Sequence, residues 1–385
     1  MRGHIRKRGS ESWAIVLDLG YDAEGKRQQK WHSVKGTKRK AEQELTRLIR
    51  ELDTGTYVEP QRITVAQYLK DWLADMRSRI SAKTHERYSR IVRADIVPAL
   101  GHIQLAKLKP LQIQKLYSEL LATGRKDGTG GLSPRTVVHT HRILHKALDQ
   151  AVKWQLLFRN PTDFVQPPRA IHKPMTALDE EQTAALLKSV SSTRLYLPAA
   201  LAVSTGMRRG EILGLHWAEV DLERAQLRVA YTLEQTKAKG LNFKPPKTPK
   251  SRRQIALPQV IVKMLKAHRR EQKANKFRLG PDYEDHDLVC ARPDGKLWPP
   301  QTFSTRFAAH IRSSGLPHVR FHDLRHTHAT QLLKNNVHPK VVSERLGHST
   351  IAITLDTYSH VLPGMQEQAV AALEESLTAL LEADA

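Results

Sequence analysis

A chain of 385 residues is long enough for two or three domains, and 62 Lys and Arg against 39 Asp and Glu give it a formal net charge of +23. A field of that sign favours a polyanionic partner, by attraction at long range and by release of counterions on contact. Six Trp and 40 % hydrophobic residues argue against a ribosome-like basic chain or a membrane-surface protein and for a folded nucleic-acid enzyme or binder. The single cysteine, Cys290, excludes an intrachain disulfide framework and fits a reducing compartment; between DLV and AR it reads as a core thiol on a strand. No apolar run reaches the roughly 18 residues of a membrane span, and MRGHIRKRG lacks an apolar signal core, so a cytoplasmic location is expected, with no membrane partner.

In chain order, residues 1–60 read as a small three-stranded sheet plus one helix. Trp13 to Leu19 and Gln28 to Val34 are β-type runs, and Ala41, Leu45, Leu48, Ile49 and Leu52 then recur at helical spacing behind a capping Thr37. Arg6, Arg8, Lys26 and Arg27 lie on or beside the strands, where a sheet can read DNA; a solvated basic face explains them equally well. Residues 63–158 read as a bundle of four amphipathic helices, opening at Thr64, Ser81, Pro110 and Ser133-Pro134, the second running toward a break at Pro98 and Gly101. Its Lys83, Arg87, Arg135 and Arg142 can grip phosphates, although each is also an ordinary surface cation. Four prolines in residues 159–177 mark a linker. Residues 178–385 read as a mixed domain of helices with a strand-rich insertion near 226–257, ending in an acidic, basic-free amphipathic helix at 365–385. The fold class is thus multidomain and mainly α, with small β elements.

Four patches of the last segment carry chemistry. In Ser204-Thr-Gly-Met-Arg-Arg-Gly-Glu211 an apolar helix ends at Gly206 and a new one begins near Arg208, where a guanidinium fork can meet a phosphate. Glu211, one turn on, can hold a neighbouring cation; a plain helix-initiating turn with a surface ion pair fits the same residues. Phe243 to Pro258 holds a lysine-rich hairpin tip or its approach, within which Lys247 and Lys250 are equivalent on physical grounds. In Phe321-His-Asp-Leu-Arg-His-Thr-His328 the spacing puts His322 and Arg325 on one helical face. A metal site on His322, His326 and His328 is disfavoured because Arg325 sits among them and no Glu or CxxC companion follows. Finally, Gly347 reads as a helix stop behind Pro339, placing His348 just past a helix end and Tyr358 in a short helical stretch. A lone tyrosine is more often a packing residue than a nucleophile.

The order of these patches, TGMRRGE, a Lys-Thr hairpin, HDLRH, LGH and a tyrosine ten residues later, resembles the tyrosine recombinase (phage integrase) family over residues 174–385. Less specifically, 63–158 is similar to the family's helical core-binding (SAM-like) domain and 1–60 to the arm-type DNA-binding domain of larger integrases. The resemblance implies a site-specific recombinase with Tyr358 as nucleophile, forming a 3′-phosphotyrosine and working as a tetramer through a Holliday junction. It implies Arg208 and Arg325 on the phosphate, Lys247 as general acid with Lys250 the fallback, His322 as acceptor of the tyrosine proton, and His348 on a phosphate oxygen with Glu211 in support. Neither metal nor cofactor is expected. The partners would be double-stranded attachment sites, with excisionase and DNA-bending accessory proteins, serving a prophage or conjugative element. A DNA-binding regulator without catalysis, or a metal-dependent nuclease, would share the charge but has no need of the full set.

Overall fold

The computed structural model of the chain describes residues 3–21, 24–54, 62–125, 127–171, 176–246 and 251–358, with Val370, Leu373 and Glu374. The chain divides into two compact units, Met1–His172 and Lys173–Ala385. Among the described residues no helix is long and apolar enough to cross a membrane.

The first unit opens with an antiparallel meander of β1 (Gly3–Gly9), β2 (Ser12–Tyr21) and β3 (Arg27–Lys35), followed by α1 (Lys38–Asp53). Strand alternation sends Ile15 and Leu17 of β2 to one face, where they meet Leu48, Leu45, Ile49 and Leu52 of α1. The opposite face pairs Arg6 with Ala14 and Val16 with Trp31. Thr37 accepts a hydrogen bond from the Lys40 N–H and starts α1 at the position the sequence indicates.

Next come α2 (Val65–Arg79), α3 (Ala82–Ile91), the short α4 (Val97–Leu100), α5 (Pro110–Thr123) and α6 (Pro134–Lys153). Thr64, Ser81 and Ser133 each accept a backbone N–H from the first turn. Between α3 and α4 the backbone widens into a π-turn over Val92–Ile96, with the Val97 N–H bonded to the Val92 carbonyl. Pro98 has no N–H to donate, and the wider turn lets the chain continue past it. Tyr68, Leu69, Trp72, Ile96, Ile113, Tyr117, Leu144 and Leu148 fill this bundle's own core. The linker expected from residue 159 begins later. Pro161 and Thr162 are buried, Val165 joins the bundle core, and the Asn160 side chain both accepts from the Thr162 N–H and donates to the His145 carbonyl.

The described residues of the second unit form α7 (Glu180–Val190), α8 (Tyr196–Thr205) and α9 (Arg209–Leu213), five strands, then α10 (Gln259–Leu279), α11 (Pro300–Ser313), α12 (Asp323–Lys334), α13 (Pro339–Leu346) and α14 (Ile351–Tyr358). Strands β4 (Val220–Asp221), β5 (Gln226–Arg228) and β8 (Gln254–Ala256) form one antiparallel sheet, and β6 (Thr232–Thr236) pairs with β7 (Gly240–Lys244) in a hairpin. The strand expected around Cys290 is reduced to one isolated bridge, His216 to Leu288, after which Cys290 sits in a turn. It is nonetheless a core thiol, 3 % exposed, and burial pushes its pKa up to about 12. Lys247 and Lys250 lie outside the described residues, as does nearly all of the terminal helix expected at 365–385.

Candidate active site

The site is assembled where three helices end or begin. Helix α8 is apolar on all sides and terminates at Gly206, whose φ of 65° is the left-handed region that glycine enters freely. The chain then re-enters helix at α9, with Arg208 as its N-cap residue. The Arg208 N–H donates to Glu211 Oε2 at 2.9 Å and its guanidinium Nη1 to Glu211 Oε1 at 2.8 Å. Glu211 is 2 % exposed, and Arg253 donates to its Oε2 at 2.9 Å from the other side. Burial alone would raise the Glu211 pKa; Arg253 and Arg208 outweigh it and hold the carboxyl below its usual range. The carboxylate thus fixes two guanidinium groups, Arg208 half-open to solvent and Arg253 buried.

Helix α13 supplies the second anchor. It ends at Gly347, again left-handed at φ 67°, so its final carbonyls have no partner within the helix. Three arginines take three successive ones: Arg253 Nε donates to the Arg345 carbonyl at 2.5 Å, Arg325 Nη2 to Leu346 at 2.6 Å and Arg208 Nη2 to Gly347 at 3.4 Å. The negative end of a helix dipole is the place where clustered cations are tolerated. Arg325, on α12, also donates to the Gly206 carbonyl at 2.6 Å, so one buried guanidinium bridges the ends of α8 and α13. Burial lowers its pKa to about 9, which leaves it charged at neutral pH.

Around this cluster lie His348, whose Nδ1 is 2.8 Å from Thr354 Oγ1, and His322, the N-cap residue of α12. Burial, reinforced by Arg325 and Arg208, brings His348 down to about 4. Burial, then His326 and Arg325, does the same for His322, so both rings are neutral near pH 7. Tyr358, the last residue of α14, is 2 % exposed and packs with Ala329, Leu333, Val342 and Leu346. Burial raises its pKa to about 12 against the pull of Arg325.

Arg208, Glu211, His322, Arg325, His348 and Tyr358 are therefore gathered in one region of the second unit. One expected pairing is different. The phenol oxygen of Tyr358 meets His326, at 2.6 Å from its Nδ1, rather than His322. His326 follows His322 by one helical turn and shares its face, a spacing present in the sequence that by itself suggests a metal ligand rather than a base. Of the three histidines of that disfavoured metal site, His328 turns its Nδ1 to the Val203 carbonyl at 2.7 Å, while the His322 ring stands edge-on to His326 with centroids 5.4 Å apart. Sequence reasoning misses Arg253 as well, because nothing within its own patch distinguishes it from Arg252 beside it.

In the first unit the expected DNA contacts are all exposed. Arg6 and Arg8 flank the exposed ring of Trp31, 5.6 and 5.7 Å from its centroid. Arg27 is paired with Asp18. On the bundle, burial and then Arg87, Arg142 and Arg135 lower the pKa of His139, so these arginines of α3 and α6 share one positive patch. Lys83 is exposed in the first turn of α3.

The phage integrase family model matches residues 176–365, spanning the whole cluster, and a second model, the phage integrase N-terminal SAM-like domain, matches residues 64–121. The chain belongs to the phage integrase family. As a family member it is a site-specific recombinase of the tyrosine type. It is 29 % identical over 96 % of its length, and 97 % of the relative's, to a protein of Caldanaerobacter subterraneus named tyrosine recombinase XerC-like. It is 22 % identical to the ICEBs1 integrase of Bacillus subtilis, covering 97 % of this chain and all of that one. Among solved structures it is similar to the Tn1549 transposon integrase in complex with transposon right end DNA, with a TM-score of 0.67, 21 % identity and coverage of 81 % of this chain and 99 % of that one. A lambda integrase tetramer bound to a Holliday junction matches with a TM-score of 0.55 and 19 % identity, over 90 % of this chain and 95 % of that one.

Proposed function

We propose that this integrase cuts and rejoins double-stranded DNA at attachment sites through a 3′-phosphotyrosine on Tyr358, moving a prophage or conjugative element into and out of a host chromosome. The observation that carries the reading is the convergence of Arg208, Arg325, His348 and Tyr358 on the ends of α8 and α13, from stretches up to 150 residues apart in the chain. A phosphodiester entering beside Arg208 gains a charge-assisted fork from a guanidinium already oriented by Glu211. As the phenol oxygen bonds to phosphorus, charge accumulates on the non-bridging oxygens, and preorganised donors stabilise it more than they stabilise the ground state. His322 and His348, both neutral, can each donate one ring N–H to those oxygens. Lys247, with Lys250 as the alternative, protonates the departing 5′ oxygen.

The phosphotyrosine conserves the energy of the broken bond, so a 5′-hydroxyl of the partner duplex reverses the step without a nucleotide cofactor. The arginines supply the positive charge that a divalent cation supplies elsewhere, so cleavage proceeds in EDTA. Exchange of all four strands calls for a homotetramer and a Holliday junction, in keeping with the lambda integrase assembly, and the Tn1549 and ICEBs1 relatives favour a mobile element. The domain roles follow the same reading: 1–60 on arm-type sites, 63–158 on core sites, 178–385 for catalysis. Excisionase and DNA-bending proteins set direction, and the acidic residues 365–385 are assigned to docking on a neighbouring protomer, the alternative being a helix packed back on its own subunit. Deletion of 365–385 that left tetramer assembly unchanged would refute that docking.

The test is a suicide duplex nicked beside the cleavage site. A covalent protein–DNA adduct forms in EDTA and is absent in Tyr358→Phe. No adduct, or one that survives in Tyr358→Phe, rejects the assignment, and a regulator without catalysis or a metal-dependent nuclease would then be favoured.

A further inference from the structure

The hydroxyl of Tyr358 and Nδ1 of His326 share a 2.6 Å hydrogen bond, and the two rings lie 5.8 Å apart, centroid to centroid. His322, Arg325 and His326 stand at i, i+3 and i+4, so one face of α12 presents all three. Arg325 is committed to two backbone carbonyls, and His322 is held one ring further from the phenol, edge-on to His326. From this arrangement we propose that His326, rather than His322, accepts the proton of Tyr358 as it attacks phosphorus. The proposal rests on the reading of Tyr358 as nucleophile and adds the group that activates it.

In this step the Tyr358 O–H proton moves to His326 Nδ1, whose ring proton is then on Nε2. The phenol oxygen bonds to phosphorus, the bond from phosphorus to the 5′ oxygen breaks, and that oxygen takes a proton from the lysine. Burial holds the His326 pKa below its usual value, so the ring is neutral and its lone pair is available. The transfer therefore belongs to the transition state, where the phenol becomes acidic as its oxygen bonds to phosphorus. The imidazolium so formed lies in the first turns of α12, where the helix dipole disfavours a cation, while the nearby Asp323 carboxylate favours it. That balance suits a group that must return the proton on religation. His322 is left to donate to a phosphate oxygen.

Fluorination of the nucleophile separates this role from a structural one, because a phenol of lower pKa needs less help from a base. The full chain, with tyrosine or 3,5-difluorotyrosine at position 358, is reacted under single-turnover conditions with the nicked suicide duplex. The backgrounds are wild-type, His326→Gln, His326→Asn and His322→Gln, each checked for its melting temperature. With ordinary tyrosine, both His326 variants should lose about 10²–10⁴ in cleavage rate, the usual contribution of a positioned base. Difluorotyrosine should recover at least about tenfold of that loss in the His326 variants and nothing in His322→Gln. The proposal fails if either folded His326 variant cleaves within about threefold of wild-type, if difluorotyrosine gives no recovery there, or if it rescues His322→Gln instead. An absence of adduct from the wild-type chain is a different result, since it removes Tyr358 as nucleophile altogether.

Discussion

Glu211 and Arg253 form an ion pair 2.9 Å long, with side chains 2 % and 6 % exposed. Arg253 immediately precedes β8, and its other nitrogens donate to the Arg345 and Ser251 carbonyls. One residue thus links the strand that follows the lysine segment, the carboxylate that orients Arg208 and the end of α13. A buried charge that loses its partner is left without solvation, which typically costs about 3–5 kcal/mol. Glu211→Gln and Arg253→Met are each expected to lower unfolding stability by about that amount, measured by urea titration. The double variant should lose less than the sum, because neither charge is then stranded.

The same pair predicts a pH dependence. The folded-state pKa of Glu211 lies below its ordinary 4.5, so the unfolded chain binds this proton more readily than the folded one. The stabilisation is complete above 4.5 and is lost as pH falls through the folded pKa. Wild-type stability should therefore drop more steeply below pH 4.5 than that of Glu211→Gln, with parallel curves above it. Equal slopes at acid pH would show that the carboxyl titrates alike in both states.

Glycine is required where α8 ends. A Cβ at Gly206 would stand 2.6 Å from His328 Cδ2 and 2.7 Å from Leu346 Cδ2, on a backbone with φ 65°. At Gly347 the nearest atoms are those of Arg253 at 3.1 Å. Left-handed backbone alone costs an alanine about 1–2 kcal/mol, and overpacking adds about 1–3 kcal/mol. Gly206→Ala should thus destabilise clearly more than Gly347→Ala in thermal unfolding, and the reverse order would contradict the packing described.

Arg325→Lys retains a positive charge but has one nitrogen with which to reach two carbonyls, Gly206 and Leu346. With Arg325 assigned to the non-bridging oxygens through its remaining N–H groups, a lysine displaced from the two carbonyls should cleave the suicide duplex about 10²–10³ more slowly, the usual loss of one oxyanion donor. A lysine enzyme within about threefold of wild-type would show that charge alone suffices at this position.

Binding to DNA should register the patch around His139 as counterion release. Arg87→Ala and Arg142→Ala are each expected to reduce the slope of log K against log salt by about 0.9 for each phosphate left unneutralised. Lys153→Ala, which removes an ammonium paired with Asp149 in the last turn of α6, provides a comparison for loss of charge elsewhere on that helix. An unchanged slope in Arg87→Ala and Arg142→Ala would place the DNA on another surface.

Much of the local structure was legible because its causes act within a few residues. Thr64, Ser81 and Ser133 start helices by bonding backbone N–H groups three positions on, Pro110 needs no N–H in a first turn, and Gly347 ends α13 because glycine tolerates the left-handed backbone there. The spacing that puts His322 and Arg325 on one face is likewise a property of α12 alone. The strand expected at Cys290 failed for the complementary reason: an apolar run specifies burial, and whether it pairs depends on a distant partner, which here is a single residue, His216.

The amino-acid order by itself determined which residue types were available, where helices start and stop, and that a strongly positive chain should bind a polyanion. Only tertiary structure decided which of those residues meet. Glu211 selects Arg253 from 42 positions away, Tyr358 meets His326 across 32, and Arg325 reaches the Gly206 carbonyl across 119. No periodicity encodes such separations. They are set by the way α8, α12 and α13 pack, which brings the helix-end carbonyls of α8 and α13 together and places Arg325 of α12, with Arg208 and Arg253, as the donors that satisfy them.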